Sequence, residues 1–482
     1  MCLPNSSMKY LFGLYSLIVL SFSVYAQEGL SLGRAIELGL QNNFDVQIQK
    51  LEIEMAEGNN TWGMAGALPS VNLNGNQNNN STYRQPANPF AVPGRNISNT
   101  LLGQLDAQFI LFDGFFIRVS KSRLEQLEQL SYGNATLVIE ENIRSIILVY
   151  YLALMEYERT QLRKRVMDFS RERYEYVILR KELGGAITFD VLQAQNDYLT
   201  DSTNYLLQDM TFKNTVRNLN LLLNEDISKT YVFTDSLSFR DEAYTIDDLR
   251  QKMSSTNTNL RNQFMNQELL RLSTRAAYAD RYPTIALNAG ANGSLDQLNA
   301  NFGSNTGDPV TNTVGYVNGD QNLPVTNTVP SRILVNQTND GYSRGVYGNF
   351  SLRYTLFNGG QIKRNIENSQ VREQMAQLDT DQLKLSLEND LLVTYDAYNL
   401  RRQLVEIANV KLQAAELNLD LANERYKNGA LSAIDLRIVQ EAYRNAGLES
   451  VLAIYSVLAS KTDLIRLTGG LVDEFNARPA KD

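Results

Sequence analysis

The sequence predicts a mainly α-helical protein with a few membrane β-strands, built from two copies of one long unit. Three observations predict it: a tandem repeat over most of the chain, two long tracts without proline, and four segments in which apolar and polar residues alternate. Leu68-Pro69-Ser70-Val71-Asn72-Leu73-Asn74 returns as Tyr282-Pro283-Thr284-Ile285-Ala286-Leu287-Asn288, an offset of 214. Leu111-Phe112-Asp113-Gly114 returns as Leu356-Phe357-Asn358-Gly359 at an offset of 245. That second offset then holds from Tyr150 and Tyr395 through Gly184 and Gly429, Asp190 and Asp435, and Gln195 and Gln440 to Leu222 and Leu467. The difference of 31 is one insertion in the second half, and a period above 200 residues excludes short solenoid repeats.

Taken in order, the chain opens with Lys9, an apolar run from Leu11 to Val24, and the small residues of Val24-Tyr25-Ala26 before Gln27. This is the pattern of a secretory signal peptide over residues 1–26, with Met8 a second candidate start. Residues 27–243 form the first structural repeat, with helix over Ser31 to Gly66, a β-hairpin at about 68–113 and long helices at about 114–224. Residues 244–482 form the second, with a β-hairpin at about 282–357, long helices at about 358–467 and a C-terminal segment. Proline is absent between Pro93 and Pro283 and again between Pro330 and Pro479. Proline removes a donor and clashes with the preceding turn, so such Leu/Glu/Gln/Arg/Ala-rich tracts read as helix. Ile143, Ile147, Tyr150, Leu154 and Tyr157 step by alternating fours and threes, the seam spacing of helices packed side by side. The 70 residues from Gly114 to Gly184 would make a rod of about 105 Å. Asp190–Asn224 and Ser31–Gly66 are each about half as long, so two of them stacked end to end match one long rod.

The segments between the helices alternate with period two. Val71 and Leu73, then Ile285, Leu287, Ala289 and Ala291, share a face opposite mostly Asn, Ser and Thr. Leu105, Ala107, Phe109 and Leu111 oppose Gln104, Asp106 and Gln108, and Val346, Phe350, Leu352, Tyr354 and Leu356 oppose Tyr347, Asn349, Ser351 and Arg353. Alternation over about ten residues is the mark of a transmembrane strand, although a soluble half-buried hairpin gives the same pattern in any one segment. Residues 78–100 and 296–344, dense in Asn, Gly, Pro, Ser and Thr, read as surface loops, the second absorbing the insertion. Four strands cannot close a barrel, since membrane barrels start at about eight, and an open sheet edge is not tolerated in lipid. Several copies must therefore share one barrel, a conclusion that leaves the number of copies open.

Composition removes other classes. The chain has no histidine and one cysteine, Cys2, which lies ahead of the apolar run. The mature part therefore lacks the commonest general base and metal ligands, and it shows no phosphate-binding glycine loop and no Gly-x-Ser-x-Gly elbow. We expect no enzyme, no cofactor and no metal site. Without Lys9 there are 44 basic and 53 acidic residues, which argues against nucleic-acid binding. No other run of 18 or more apolar residues is present, so an inner-membrane helix is not expected.

The duplicated turn-and-helix segments carry a resemblance. Gly184-Gly185-Ala186-Ile187-Thr188-Phe189-Asp190-Val191-Leu192-Gln193-Ala194-Gln195 and Gly429-Ala430-Leu431-Ser432-Ala433-Ile434-Asp435-Leu436, with Arg425-Tyr426 before the second and Leu356-Phe357-Asn358-Gly359, resemble the TolC-like outer membrane efflux protein (outer membrane factor) family. The likeness covers nearly the whole mature chain. It implies a homotrimer with a twelve-stranded barrel in outer membrane lipid, continued by a twelve-helix tube across the periplasm. It also implies a periplasmic adaptor protein, an inner-membrane transporter acting through that adaptor, and a belt around the tube formed by 225–245 and 468–482.

Two sets of residues follow from it. Leu183, Gly184 and Gly185 with Asn428, Gly429 and Ala430 sit at the helix turns where the adaptor would dock, while a C-terminal glycine is needed for positive φ whatever binds there. Asp190 and Asp435 match acidic positions near the family's periplasmic aperture, where carboxylate rings would gather cations. Ser432 with Asp435 equally resembles a capping box. Several relatives carry a latching Arg two residues after the turn glycine; here that place is Leu431, and Arg437 is the candidate substitute. The aromatics Phe109, Phe112, Phe115, Phe116, Phe350, Tyr354 and Phe357 suit an interfacial belt or plain packing. The expected function is a passive exit duct of a tripartite efflux system. The same duct serving type I protein secretion is the alternative, and a surface coiled coil without a channel is disfavoured by the alternating segments.

Overall fold

Helices and strands follow each other as the proline gaps and alternations require. The computed structural model describes residues 28–87 and 92–475; the expected signal peptide and the tail 476–482 lie outside the described residues. In chain order the elements are β1 (Glu28–Leu30), α1 (Leu32–Asn42), α2 (Phe44–Asn59), β2 (Ser70–Arg84), β3 (Gly94–Asp113), α3 (Phe116–Glu182), α4 (Thr188–Leu223) and β4 (Tyr231–Phe233). They continue as α5 (Ile246–Thr256), α6 (Thr258–Ala279), β5 (Thr284–Tyr316), β6 (Pro324–Arg353), α7 (Gln361–Lys427), α8 (Ala433–Leu467) and α9 (Leu471–Glu474). Helices α3 and α7 are each 67 residues long, so each proline-free tract does contain an uninterrupted rod. The chain divides into a helical unit, holding the residues up to Gly58, Gln126–Glu268 and those from Gln374 on, and a sheet unit of Asn59–Glu125 and Leu269–Glu373. Each unit draws on both halves of the sequence.

In the helical unit, α3 and α4 form one hairpin and α7 and α8 another. Of the seam read in α3, Ile143, Ile147, Tyr150 and Leu154 are buried, whereas Tyr157 is exposed. Tyr150 and Tyr398 are fully buried at the centres of two apolar clusters, one with Ile143, Ile146, Leu219 and Leu223, the other with Leu391, Val457 and Leu464. Their hydroxyls find carbonyls, as buried phenols must: Tyr150 donates to Leu30 O at 2.9 Å and Tyr398 to Glu242 O at 2.7 Å.

Residues related by the two sequence offsets make the same bonds. Tyr395, 245 residues after Tyr150, donates to the carbonyl of Tyr244, 214 after Leu30. Asn43 caps α2 by accepting from the Asp45 and Val46 amides, while its Nδ2 donates to Leu222 O, at the end of α4. Asn257 caps α6 by accepting from the Leu260 amide, and its Nδ2 donates to Leu467 O, at the end of α8. One buried amide thus joins the end of one short helix to the start of another, the end-to-end junction that the helix lengths call for.

In the sheet unit the four long strands form one antiparallel sheet in the order β2-β3-β5-β6. The register aligns the alternation across strands: Leu73, Leu105, Ala291 and Val346 form one cross-strand row, and Asn72, Asp106, Gly290 and Tyr347 the next. One face is therefore apolar and the other polar. Gly290 lets the Tyr347 side chain lie over β5 to donate to Asp106, because a Cβ there would fall 2.6 Å from the hydroxyl.

Three expectations need correction. Residues 78–84, 94–100 and nearly all of 296–344 are strand and not loop: β2 runs to Arg84, β3 starts at Gly94, and β5 and β6 extend to Tyr316 and Pro324. Asn and Gly pairs across an antiparallel ladder satisfy the backbone whatever their low strand propensity, and the Thr among them favours strand, so composition misled there. Leu111 leaves the alternation at a bulge between Ile110 and Phe112, which puts Phe112 opposite Ile285. Tyr354 and Leu356 lie beyond the end of β6.

Candidate functional site

The two turns of the helical hairpins are built alike. After α3, Gly184 adopts φ +79°, its amide donates to Lys181 O at 3.0 Å and the next, of Gly185, to Arg180 O at 2.7 Å. After α7, Gly429 adopts φ +72° and the amides of Gly429 and Ala430 donate to Tyr426 O and Arg425 O at 3.0 and 2.8 Å. This is the glycine C-cap in which two amides satisfy the last carbonyls of the helix. Nothing lies within 4 Å of a Cβ built at either glycine, so backbone angle and not crowding calls for glycine. The turns are exposed and apolar for their position: Leu183 is 79 % exposed, Phe189 68 % and Ile434 72 %. Such side chains in the open are what a partner surface would cover.

Asp190 and Asp435 both lie in first helical turns and are exposed. Asp190 accepts from the Ile187 amide at 3.1 Å, half of a capping box, since Ile187 offers no side-chain acceptor. At the second turn the Ser432 hydroxyl accepts from the Asp435 amide at 3.1 Å and donates to its carboxylate at 2.7 Å. Both acids therefore act as cap residues in the single chain, with the helix dipole favouring their charge.

Arg437 is turned away from solvent. It grips both carboxylate oxygens of Asp201 on α4, at 2.5 and 3.0 Å, and Glu441 lies 3.4 Å away. The Asp201 side chain is 3 % exposed and also accepts from the Ser170 hydroxyl of α3. Burial pulls the Arg437 pKa down, but the hydrogen bonds and charge of Asp201 outweigh it and hold it above the ordinary value. The residue thus clasps α8 to α3 and α4 within one chain. Closer to the turn Arg173, also buried, pairs with Asp197, and farther from it Gln208 and Arg159 donate to buried Glu156.

Sequence reasoning missed Asp201, Ser170, Arg173 and Asp197. A signal was present: Ala194, Asp201, Gln208 and Thr215 are buried at intervals of seven on α4, so a core heptad position carries Asp and Gln. Among the described residues no group of three or more acidic, His or Cys side chains could hold a metal ion, and no helix is long and apolar enough to cross a membrane.

Known proteins can now be set beside this geometry. Residues 249–470 match the family described as outer membrane efflux protein, and no curated protein sequence matches the chain. The fold is that of outer membrane channels. The CmeC channel of Campylobacter jejuni superposes with a TM-score of 0.68 at 15% identity, covering 91% of this chain and 85% of that one. VceC of Vibrio cholerae gives 0.65 at 15% identity, covering 91% and 96%, and the open state of MtrE of Neisseria gonorrhoeae gives 0.62 at 17%, covering 91% and 89%. The second half of the chain carries the sequence pattern of the outer membrane efflux protein family, and the fold of outer membrane channels runs through both halves. That pattern and that fold are those of efflux channels of the outer membrane.

Proposed function

We propose that this chain is one third of a homotrimeric exit duct of a tripartite efflux system. In this reading a twelve-stranded barrel shared by three copies crosses the outer membrane, and twelve helical rods enclose the periplasmic passage. A tandem duplication, supported by the twin Asn43 and Asn257 junctions, supplies two strands and two rods' worth of helix from each half. The observation that carries the reading is the pair of open sheet edges: among the described residues β2 pairs only with β3 and β6 only with β5. With one face apolar, such edges must be closed by another copy in lipid. The helical unit has matching needs, because Leu192, Leu199 and Leu206 on α4 and Leu378, Leu385 and Leu392 on α7 are exposed at heptad spacing.

The adaptor docks at the apolar turns, on Leu183, Gly184, Gly185, Asn428, Gly429 and Ala430, and delivers cargo from an inner-membrane pump. Asp435 and Asp190 line or flank the aperture, and Arg437 holds it shut by clasping Asp201. The duct is passive, and nothing in the chain performs catalysis. In planar bilayers Asp435→Asn is expected to raise single-channel conductance or lower cation preference and to weaken block by trivalent cations, with Asp190→Asn beside it to separate mouth from wall. Unchanged conductance, selectivity and block in both would remove the acidic aperture. A stable, strand-rich monomer in mild detergent by light scattering would remove the duct itself.

A further inference from the structure

Strand β6 exchanges its faces part-way along. From Ser351 back to Gln337 its odd-numbered residues are Ser, Asn, Tyr, Gly and Gln and belong to the polar face of the sheet, while Leu352, Phe350, Val346 and Tyr342 belong to the apolar one. Beyond Gln337 the odd positions include Val335, Ile333, Val329 and Val325, with Ser331 and Asn327 among them, and the even ones include Thr328 and Thr326, with Leu334 the apolar exception. Strand β5 inverts with it: Val310 pairs Val329, Asn312 pairs Asn327, and Thr311 and Thr313 pair Thr328 and Thr326 on the opposite face. The motif Pro309-Val310-Thr311-Asn312-Thr313-Val314 is repeated as Pro324 to Val329, so the two strands of this ribbon are near copies.

The ribbon stands alone. Pairing of β5 with β3 ends at Asn299, and among the described residues β5 from Phe302 to Tyr316 pairs only with β6. That is about 50 Å of two-stranded ribbon at roughly 3.4 Å per residue. An isolated hairpin of this kind is at best marginally stable in water. Strand β2, 15 residues long, can cover only part of the 30 residues of β6, so closing the barrel leaves the ribbon uncovered. Yet Val310, Val325 and Val329 are 46, 45 and 38 % exposed, and past the register irregularity at Asn305–Pro309 the pairing still places even positions of β5 opposite odd positions of β6, the parity of the sheet's polar side. In a barrel the polar side looks to the lumen. The valines therefore look toward the shared axis, where the only apolar surface available is the same face of the neighbouring copies.

We propose that the ribbon Phe302–Val335 is a copy-to-copy contact, in which the valine faces pack on one another about the axis above the barrel with Asn312 and Asn327 meeting between them. This rests on the shared-barrel reading. Single cysteines test it in a Cys2→Ser background, which is otherwise free of thiols: Val329→Cys on the inner face and Thr328→Cys, one residue away, on the outer. After copper-phenanthroline oxidation of the detergent-purified protein, Val329→Cys is expected to give a disulfide-linked dimer on a denaturing gel, with the odd chain left single, and Thr328→Cys none. Val325→Cys on the same inner face replaces Val329→Cys if that variant fails to assemble. Absence of dimer at both inner positions, or equal dimer from Thr328→Cys, in protein that light scattering shows to be multi-copy would overturn the ribbon contact and leave the barrel standing. A single-copy particle would overturn both.

Discussion

The two helical hairpins have nearly equal lengths and the same turn, but toward that turn their interiors differ in kind. Between α3 and α4 lie Glu156 with Gln208, Ser170 with Asp201, and Arg173 with Asp197. The positions 245 residues on are Arg401 and Ala453, Ala415 and Ala446, and Asn418 and Ala442. The second hairpin has its polar bonds farther from the turn, Arg401 to Ser460 and Ser450 to Asn409, and nearer the turn it is packed by Leu412, Leu419, Val439, Tyr443 and Leu448 with Leu162 of α3. Buried polar pairs have directional geometry and fix how one helix lies along another, whereas small and branched apolar residues accept shifted registers at little cost. Toward the turn the first hairpin is pinned and the second is smooth. Arg437, whose counterpart is Leu192, is where the smooth hairpin is held to the pinned one.

The harshest way to break this contrast is Asp201→Ala, which writes the second hairpin's residue into the first. If the two interiors were equivalent, the change would cost nothing. Because it takes the two-pronged partner from a mostly buried guanidinium and leaves it Glu441 at 3.4 Å, a loss of about 2–3 kcal/mol is expected, read as an earlier thermal transition by circular dichroism. Asp201→Leu combined with Arg437→Leu removes both charges and should recover most of that loss, leaving a hairpin that has lost its register pin.

A smaller effect sharpens the likeness between the two halves. Asn257→Ala removes a helix cap and a bond across the junction, so a destabilisation of about 1–2 kcal/mol is expected. Asn43→Ala should cost a similar amount if the junctions are true equivalents. A change well below this at either site would mean that the amide there is incidental.

The smallest effect concerns Glu140, buried on α3 and accepting from the Thr258 hydroxyl at 2.6 Å. Burial raises its pKa from 4.5, against the Thr258 bond and the charge of Arg466. The folded chain therefore keeps this proton to a higher pH than the unfolded chain. Stability contributed by the protonated group is complete below 4.5 and is lost as pH rises from there through the raised value. Glu140→Gln should flatten the stability profile in that window, and an unaltered profile in chemical denaturation would exclude Glu140 as its source.

Much of this architecture is legible in the sequence, for reasons that are local. Gly184 and Gly429 mark helix ends because the backbone there needs positive φ, and with Gly114 and Gly359 they bound α3 and α7 to within a few residues, inside tracts that hold no proline. The period-two faces of β3 and β5 were readable because the register keeps them aligned. The extent of β5 and β6 was not, since Asn, Gly and Thr resemble loop until a partner strand is known. The site divided in the same way: the caps at Asp190 and Asp435 involve residues three apart, but the partner of Arg437 lies 236 positions away and its counterpart is an alanine, so no repeat signal leads to it.

The junction at Asn43 has a mechanical consequence. A helix such as α3 resists bending along its whole length, like a beam with no seam. Beside it, the rod made of α4 and α2 has a joint in which no covalent bond runs along the axis, and the side-chain amide of Asn43 spans the gap. Asn257 makes the same joint between α8 and α6. A torque on this wall would therefore be taken up at two articulations while every helix stays wound, and the resistance of the joints could be tuned by changing one side chain at a time.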